Sequence, residues 1–317
     1  MDEDQGQNEF EILRERVTDY QTKRGISLAA IARRAGIGGS TLSAWMAGTY
    51  EGRIATVSDK VRVWLDAQDA MASSASGAPA PLTWTRTPTS QAILDVFEYA
   101  QAAGDIGVVV GSAGIGKTIS AKHYAAIRPN VWLFTADPSL KGAHAILHYI
   151  GEVLGVQETR SEKLSRAICQ RLADTMGLLI VDEAQHMKTD GLEQLRSLHD
   201  SAGIGLVIMG NSGLWSRMDG GGRKQDFAQL FSRVGMRLTK GRPTAGDIAA
   251  ILDAAGIEEE GPRRLLKAIA AKPGALRGMI KTLRLAKMVS AAQEEALSEE
   301  SIERAYQRLS GASDVVA

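Results

Sequence analysis

Cysteine is almost absent from this sequence, which has one cysteine, Cys169, among 317 residues. A single cysteine cannot form an intrachain disulfide, so no disulfide framework is expected to support the fold. The first ten residues, MDEDQGQNEF, lack the basic and apolar regions of a signal peptide. No apolar run approaches the ~20 residues that a membrane-spanning helix needs. We therefore expect a soluble protein of a reducing cytoplasm that has no membrane partner.

The sequence also has no excess of either charge, since 37 Lys and Arg residues balance 37 Asp and Glu residues. Net charge thus gives no reason to expect a polyanionic partner, and any site for one must be a local patch. Hydrophobic residues make up 44% of the chain, which is enough to offset the conformational entropy of a packed core. A length of 317 residues predicts about two domains.

A segment without bulky side chains, AMASSASGAPAP at residues 70–81, divides the chain and is typical of a flexible connector. The alternative interpretation is a frayed helix end. Before the segment, the pattern is helical. After it, β-rich runs alternate with helical stretches, which indicates a parallel sheet covered by helices, and from residue 244 only helical patterns follow. The strand candidates are IGVVV (106–110), VWLFT (131–135), LLIVD (178–182), GLVIM (205–209) and VGMRL (234–238).

A glycine-rich stretch, GSAGIGKT at residues 111–118, follows the first strand candidate and precedes a helix-forming run. It fits the pattern G-x-x-x-x-G-K-[ST], whose glycines let backbone N–H groups surround a phosphate at a helix N-terminus. In this pattern Lys117 reaches the β- and γ-phosphates, and the Thr118 hydroxyl binds Mg²⁺. We predict that ATP is bound by Gly111, Ser112, Ala113, Gly114, Ile115, Gly116, Lys117 and Thr118.

Polar residues end two further strand candidates. Asp182, in LLIVDEAQ, is predicted to hold Mg²⁺ beside Thr118, and Glu183 to accept a proton from the water that attacks the γ-phosphate. Asn211, after GLVIMG, is a candidate for orienting that water or contacting the γ-phosphate. Without the glycine-rich motif, these residues would be a solvated strand end and an ordinary turn.

In this order, the three motifs followed by QLFSRVGMRL and PGALR resemble an AAA+ ATPase with its lid domain. The resemblance implies that Asn211 is the first sensor, Arg277 the second sensor, and Arg233 the arginine finger that completes a neighbour's site. Arg217 and Arg223 are alternative fingers. The resemblance also implies an ATP-dependent homo-oligomer, a ring or a helical filament, with nucleotide at the subunit interfaces.

The segment SLAAIARRAGIGGSTLSAWMAG, residues 27–48, has the spacing of a helix-turn-helix, with Ser27 as a helix cap and a second helix from Ser40. The second helix presents small polar side chains, while Arg33, Arg34 and Arg53 are candidates for phosphate contacts. It lacks Arg, Asn and Gln, so strong base readout is not expected. A small helical interaction module is the alternative interpretation.

The order of these regions along the chain, a helix-turn-helix, a linker, an AAA+ core and a basic helical tail, resembles that of the B transposition proteins of Mu-like bacteriophages. The resemblance is carried by IARRAGIGGSTLSAW, NVWLFTADPS, VDEAQH, GLVIMGN, GGGRKQDFAQLFSR and AKPGALR. It implies an α/β fold, an AAA+ P-loop parallel sheet with a helical lid, preceded by a small all-α helix-turn-helix domain. The predicted domains are 1–68 (helix-turn-helix), 69–88 (linker), 89–241 (ATPase core) and 242–317 (lid).

This resemblance further implies Mg²⁺-dependent, DNA-stimulated ATP hydrolysis in a bacterial host cytoplasm, polymerisation on double-stranded target DNA with little sequence preference, and contact with a transposase. An AAA+ helicase loader and a nucleotide-gated helix-turn-helix transcription regulator are alternative functions. The helicase loader would share the core motifs, whereas the weak base-reading helix disfavours the regulator.

Residues 262–288 contain eight Lys or Arg residues and no Asp or Glu. Arg277, Lys281 and Arg284 recur there at helical spacing and form a basic stripe suited to sequence-independent phosphate contact. A solvated helix face is the alternative interpretation. The predicted DNA contacts are Arg223, Lys224, Lys141, Lys188, Lys281 and Arg284.

Overall fold

Residues 2–76, 84–139, 142–214 and 233–311 are described by a computed structural model. The chain divides into two units, Met1–Pro79 and Ala80–Ala317. Across these described segments, none of the helices combines the length and the apolar character that crossing a lipid bilayer requires.

The first unit is helical around a small apolar core. Ser27 begins the second helix by accepting a hydrogen bond from the backbone N–H of Ala30. The fully buried Trp45 lies in the third helix, and its Nε1 donates to the buried Ser58 Oγ at 3.0 Å. The third helix starts at Gly39, one residue before the predicted start. The helices are α1 (Asp2–Arg24), α2 (Leu28–Arg34), α3 (Gly39–Ala47) and α4 (Ile54–Ser76).

Helix α4 continues into the segment that the sequence predicts as a connector. It ends at Ser76, so the start of the alanine-rich stretch 70–81 is helical, as in the alternative interpretation of a helix end. Alanine has the highest intrinsic helix propensity, which allows the helix to extend although the stretch has few apolar side chains to bury. The next described helix, α5 (Pro88–Ala103), is capped by Thr87.

A parallel five-stranded sheet organises the second unit, in the strand order β2-β3-β4-β1-β5. All five predicted strands are confirmed. Every residue of β1, β3 and β4 is buried, because helices cover both faces of the central strands. The strands are β1 (Ile106–Gly111), β2 (Val131–Thr135), β3 (Leu178–Asp182), β4 (Gly205–Gly210) and β5 (Val234–Lys240).

Helices connect the strands and build an apolar core on each face of the sheet. Together with α5, they are α6 (Lys117–Ile127), α7 (Ala143–Leu154), α8 (Ser161–Leu172) and α9 (Thr189–Ala202). This arrangement confirms the predicted α/β fold class.

Beyond β5, four helices pack around an apolar core of their own and form the region that we call the lid. Fully buried side chains such as Leu252, Leu266 and Met279 hold the four helices together. The lid helices are α10 (Ala245–Ala254), α11 (Glu260–Ala271), α12 (Ala275–Ala292) and α13 (Glu299–Ser310).

Candidate nucleotide-binding site

Three polar segments meet at one edge of the sheet because the strands are parallel. The glycine-rich loop 111–116 follows β1, Asp182 is the last residue of β3, and Asn211 comes directly after β4. Strand β4 lies between β3 and β1, so the three segments leave neighbouring strands at the same carboxyl edge. This edge is where open α/β sheets bind their ligands.

The loop requires glycine at two positions and packs closely against the strand beside it. Gly114 and Gly116 have φ angles of +85° and +104°, in a region that side chains with a Cβ rarely adopt. The Ser112 N–H donates to Lys240 O at 3.2 Å. The loop leads directly into α6, which begins at Lys117, so the N-terminal N–H groups of this helix lie where an anion would be favoured.

Lys117 folds back over the loop. Its Nζ donates to Gly111 O at 2.7 Å and to Ser112 O at 3.1 Å, and the residue is only 8% exposed. Burial lowers the pKa of Lys117, while the charges of Asp182 and Glu183 act in the opposite direction. Phosphate oxygens form stronger, charge-assisted hydrogen bonds than backbone carbonyls. The ammonium is therefore placed to exchange these carbonyl partners for a phosphate.

Thr118 and Asp182 form a pair of oxygen ligands suited to a hard divalent cation. Thr118 Oγ1 donates to Asp182 Oδ2 at 2.6 Å, and Asp182 is almost fully buried. The other carboxylate oxygen, Oδ1, accepts from the Glu183 N–H at 2.9 Å. Hydroxyl and carboxylate oxygens are the protein ligands that Mg²⁺ prefers beside substrate phosphates, so these residues fit a Mg²⁺ ion.

A residue without a role in the sequence prediction, Gln185, connects Glu183 with Asn211. Its Nε2 donates to Glu183 Oε2, and its Oε1 accepts from the Asn211 N–H at 3.3 Å. Glu183 has a φ of +56°, and this left-handed turn brings Gln185 back towards it. The only sequence signal was the position of Gln185 two residues after the paired acids.

The Asn211 side chain takes part in a local turn. Its Oδ1 accepts from the N–H groups of Gly213 at 2.9 Å and Leu214 at 3.3 Å. This is the turn chemistry expected of Asn in such a sequence. Asn211 therefore lies at the predicted edge with its amide oxygen engaged, and its contact with a γ-phosphate stays a prediction.

The lid packs directly on the glycine-rich loop. A Cβ added to Gly114 would lie 2.2 Å from Gly274 O, so the two backbones can approach closely only because residue 114 is glycine. Arg277 follows in the first turn of α12 and is exposed. Its charge contributes to lowering the pKa of Lys117. The lid thus brings the predicted second sensor to the loop.

Arg233 lies at the opposite edge of the sheet from the loop. Val234 pairs with Ile106 at the start of β1, whereas Lys240 pairs with Gly111 at its end. At ~3.3 Å per residue, about 20 Å of strand separate Arg233 from the loop. Arg233 Nη1 donates to Asp200 Oδ1 at 2.6 Å, and the Arg233 side chain is 52% exposed.

The basic segment of the lid divides into paired and unpaired cations. Arg263, Arg264 and Lys267 form ion pairs with Asp253, Glu299 and Glu260, respectively. In contrast, three exposed cations on α12 pair with none of the acidic side chains in the part of the chain that the structure describes, namely Arg277, Lys281 and Arg284.

Only one of the remaining predicted DNA contacts, Lys188, lies among the described residues. Lys188 is exposed, immediately before α9. The other predicted contacts and the alternative fingers lie outside the described residues, namely Lys141, Arg217, Arg223 and Lys224.

Comparison with known proteins identifies relatives over most of the chain. Residues 232–309 match the family described as Mu B transposition protein, C terminal, and residues 101–218 match an AAA domain family. Over 281 residues, 88% of this chain and 89% of the relative, the sequence is 37% identical to the ATP-dependent target DNA activator B of Escherichia phage Mu. It is 36% identical over 274 residues to the Mu-like prophage FluMu DNA transposition protein B of Haemophilus influenzae, which covers 85% of this chain and 93% of the relative.

A solved structure supports the fold alone. A chain in the structure of Drosophila ORC bound to DNA superposes with a TM-score of 0.52 at 13% identity, covering 74% of this chain and 64% of that chain.

Substitution of Gly114 tests whether lid contact with the loop is required for nucleotide binding. We expect Gly114→Ala to weaken ATP binding about tenfold or more, since a strained left-handed alanine costs about 1–2 kcal/mol and its Cβ would also push against Gly274 O. Isothermal titration calorimetry with ATP measures the change. Gly155→Ala is the matched control, because Gly155 has a φ of +70° with no atom within 4 Å of its added Cβ. Wild-type affinity in Gly114→Ala would refute the role of this contact.

Proposed function

This chain belongs to the Mu B transposition protein family, and from that membership we propose that it is an ATP-dependent AAA+ ATPase that activates target DNA in DNA transposition. The observation that carries the proposal is the convergence of Lys117, Thr118 and Asp182 at one edge of the sheet. A helicase loader or a transcription regulator would share this edge, but the family membership favours transposition. Because the relatives are encoded by a bacteriophage and a prophage, we propose that the activity takes place in the cytoplasm of a bacterial host.

The residues at the loop have separate roles in the proposed ATP hydrolysis. Lys117 binds the β- and γ-phosphates, while Thr118 and Asp182 hold the cation. When bound, Mg²⁺ neutralises negative charge on the phosphate oxygens. Glu183 accepts the proton of the attacking water, and Gln185 orients the Glu183 carboxylate through its hydrogen bond.

The position of Arg233 supports our proposal of an ATP-dependent homo-oligomer. Arg233 lies too far along the sheet to reach the loop of its own subunit. We propose that its half-exposed guanidinium exchanges its partner Asp200 for the loop of a neighbour. We assign Arg233 as the arginine finger that stabilises charge on the γ-phosphate of that neighbour. ATP held between subunits then favours a ring or a helical filament.

DNA binding is assigned to the exposed face of α12. Lys281 and Arg284 lie about one turn apart on this helix, so they present adjacent positive charges to a phosphate backbone. Contacts to phosphates do not depend on the base sequence, so we expect DNA binding with little sequence preference. The additional contacts that we propose are Arg223, Lys224, Lys141 and Lys188, and DNA binding is expected to stimulate hydrolysis.

The first unit supplies a second contact surface. Ser40 and Ser43 are exposed on α3, the second helix of the helix-turn-helix pair, while Leu42 and Trp45 on the same helix are buried. Small hydroxyl side chains suit contact with DNA without strong base discrimination. We propose that this unit binds DNA or the transposase that uses the captured target.

Blocking hydrolysis should stabilise the assembly on DNA. Glu183→Gln retains the size of the side chain but cannot accept a proton, so we expect hydrolysis to fall roughly a hundredfold or more while ATP still binds. ATPase assays with and without random-sequence duplex, combined with electron microscopy, measure both effects. Lys117→Ala is the control that should lose ATP and assemblies together. Glu183→Gln that stays monomeric on duplex DNA with ATP would argue against the proposed function.

Mixing two inactive variants tests the finger. Arg233→Ala keeps an intact loop without a finger, and Glu183→Gln keeps an intact finger and ATP binding without hydrolysis. In random head-to-tail mixing of equal amounts, about one quarter of interfaces combine an intact loop with an intact finger. We expect ATPase activity to recover in the mixture. No recovery would exclude Arg233 as the finger and leave Arg217 and Arg223 as the candidates.

Removing cations from α12 should change the salt dependence of DNA binding. For Lys281→Ala/Arg284→Ala, we expect weaker binding to all sequences and a log–log salt slope reduced by about 0.9 for each lost phosphate contact. Fluorescence anisotropy over a salt series measures the slope. Arg264→Ala, which removes a lid cation paired with Glu299, is the matched control and should leave the slope unchanged. An unchanged slope in the double variant would place the DNA elsewhere.

A further inference from the structure

A fully buried carboxylate, Asp247, joins the lid to the first helix of the sheet-containing region. Its Oδ1 accepts from the Thr89 N–H at 2.7 Å, and its Oδ2 accepts from Thr89 Oγ1 at 2.6 Å. The two residues are 158 positions apart in the sequence. A buried carboxylate is costly unless it is hydrogen-bonded, so this pair of bonds favours one docking position of the lid.

The same carboxylate also caps its own helix. Thr244 N–H donates to Asp247 Oδ2 at 2.7 Å, and the Asp247 N–H donates to Thr244 Oγ1 at 3.1 Å, which completes a capping box at the start of α10. One side chain therefore satisfies N-terminal N–H groups of both α5 and α10. Burial alone would raise the pKa of Asp247, but the hydrogen bonds from Thr89 and Thr244 outweigh burial and lower it. The group stays charged, which the dipoles of both helices favour.

The joint is connected to the nucleotide loop from two sides. Thr244 lies four residues after Lys240, whose carbonyl accepts the Ser112 N–H from the loop. At the other side, Gly274 of the lid packs on Gly114. Because α10–α13 share one close-packed core, a change of lid orientation at Asp247 moves the start of α12 with it.

We propose that Asp247 is a positioning residue for Arg277, acting through Thr89 to hold the lid where Arg277 reaches nucleotide in the loop. The inference rests on the proposed function, in which ATP occupies that loop. Asp247 does not touch the nucleotide in this arrangement. Its contribution to ATP binding passes through the lid and therefore depends on the presence of Arg277.

A double-mutant cycle distinguishes positioning from general stabilisation. ATP dissociation constants are measured by calorimetry for the full-length wild type, Asp247→Asn, Arg277→Ala and the double variant. We expect Asp247→Asn to weaken ATP binding about tenfold, within the range for hydrogen bonds to a charged group. In the Arg277→Ala background, the same substitution should cause little further loss, since coupled residues are not additive.

Two further variants keep the test decisive if Asp247→Asn fails to fold. Thr89→Val removes one donor to the carboxylate with almost no change of shape, and it should weaken ATP binding less strongly but with the same dependence on Arg277. Ser298→Ala is the matched control, because Ser298 caps α13 in the same lid by accepting from the Ser301 N–H and makes no contact with Asp247. It should lower thermal stability and leave ATP affinity unchanged.

The outcomes separate this inference from the proposed function. Wild-type affinity in Asp247→Asn would show that Asp247 acts only on stability, and losses that simply add to those of Arg277→Ala would show an effect on ATP binding that is independent of Arg277. Either result would overturn the positioning role. Wild-type protein that fails to bind ATP would instead overturn the proposed function, and the positioning role with it.

Discussion

All five strands of the sheet run in the same direction, and this pairing decides where each functional side chain can lie. Parallel strands deliver the glycine-rich loop, Asp182 and Asn211 to one edge, and they send the start of β5, with Arg233, to the other. Helical connections between the strands make this direction possible and bury the central strands on both faces. The strand topology therefore determines which side chains lie together at the site.

The candidate site satisfies its own polar groups without a ligand. Lys117 is bonded to loop carbonyls, Thr118 to Asp182, and Glu183 to Gln185. Each of these bonds avoids the penalty of an unpaired buried group. The bonds of Lys117 to backbone carbonyls are also weaker than those that a triphosphate would offer to the same ammonium. These bonds thus hold the side chains of the candidate site in defined positions.

Sequence patterns predicted the parts of this fold that depend on local spacing. The strands were predictable because their apolar runs are short and bounded, and the loop because GSAGIGKT has a fixed geometric purpose. Gln185 was not predictable, since its role requires the left-handed turn at Glu183. Asp247 was hidden for a different reason: in sequence it is an ordinary residue near a helix start, and its partner Thr89 lies 158 positions away. The helical start of the predicted connector 70–81 was missed because its lack of apolar side chains indicates a linker, whereas the high helix propensity of alanine extends α4 to Ser76.

The separation of Arg233 from the loop has a consequence for any array of such subunits. In the proposed filament, the loop of one subunit and Arg233 of the next form each complete site, so the filament has polarity and its two terminal subunits are not equivalent. In that filament, the loop of one terminal subunit has no neighbouring Arg233, whereas Arg233 of the other terminal subunit faces no loop. The proposal therefore expects hydrolysis at the interior junctions of a filament and none at the terminal subunit that lacks a finger.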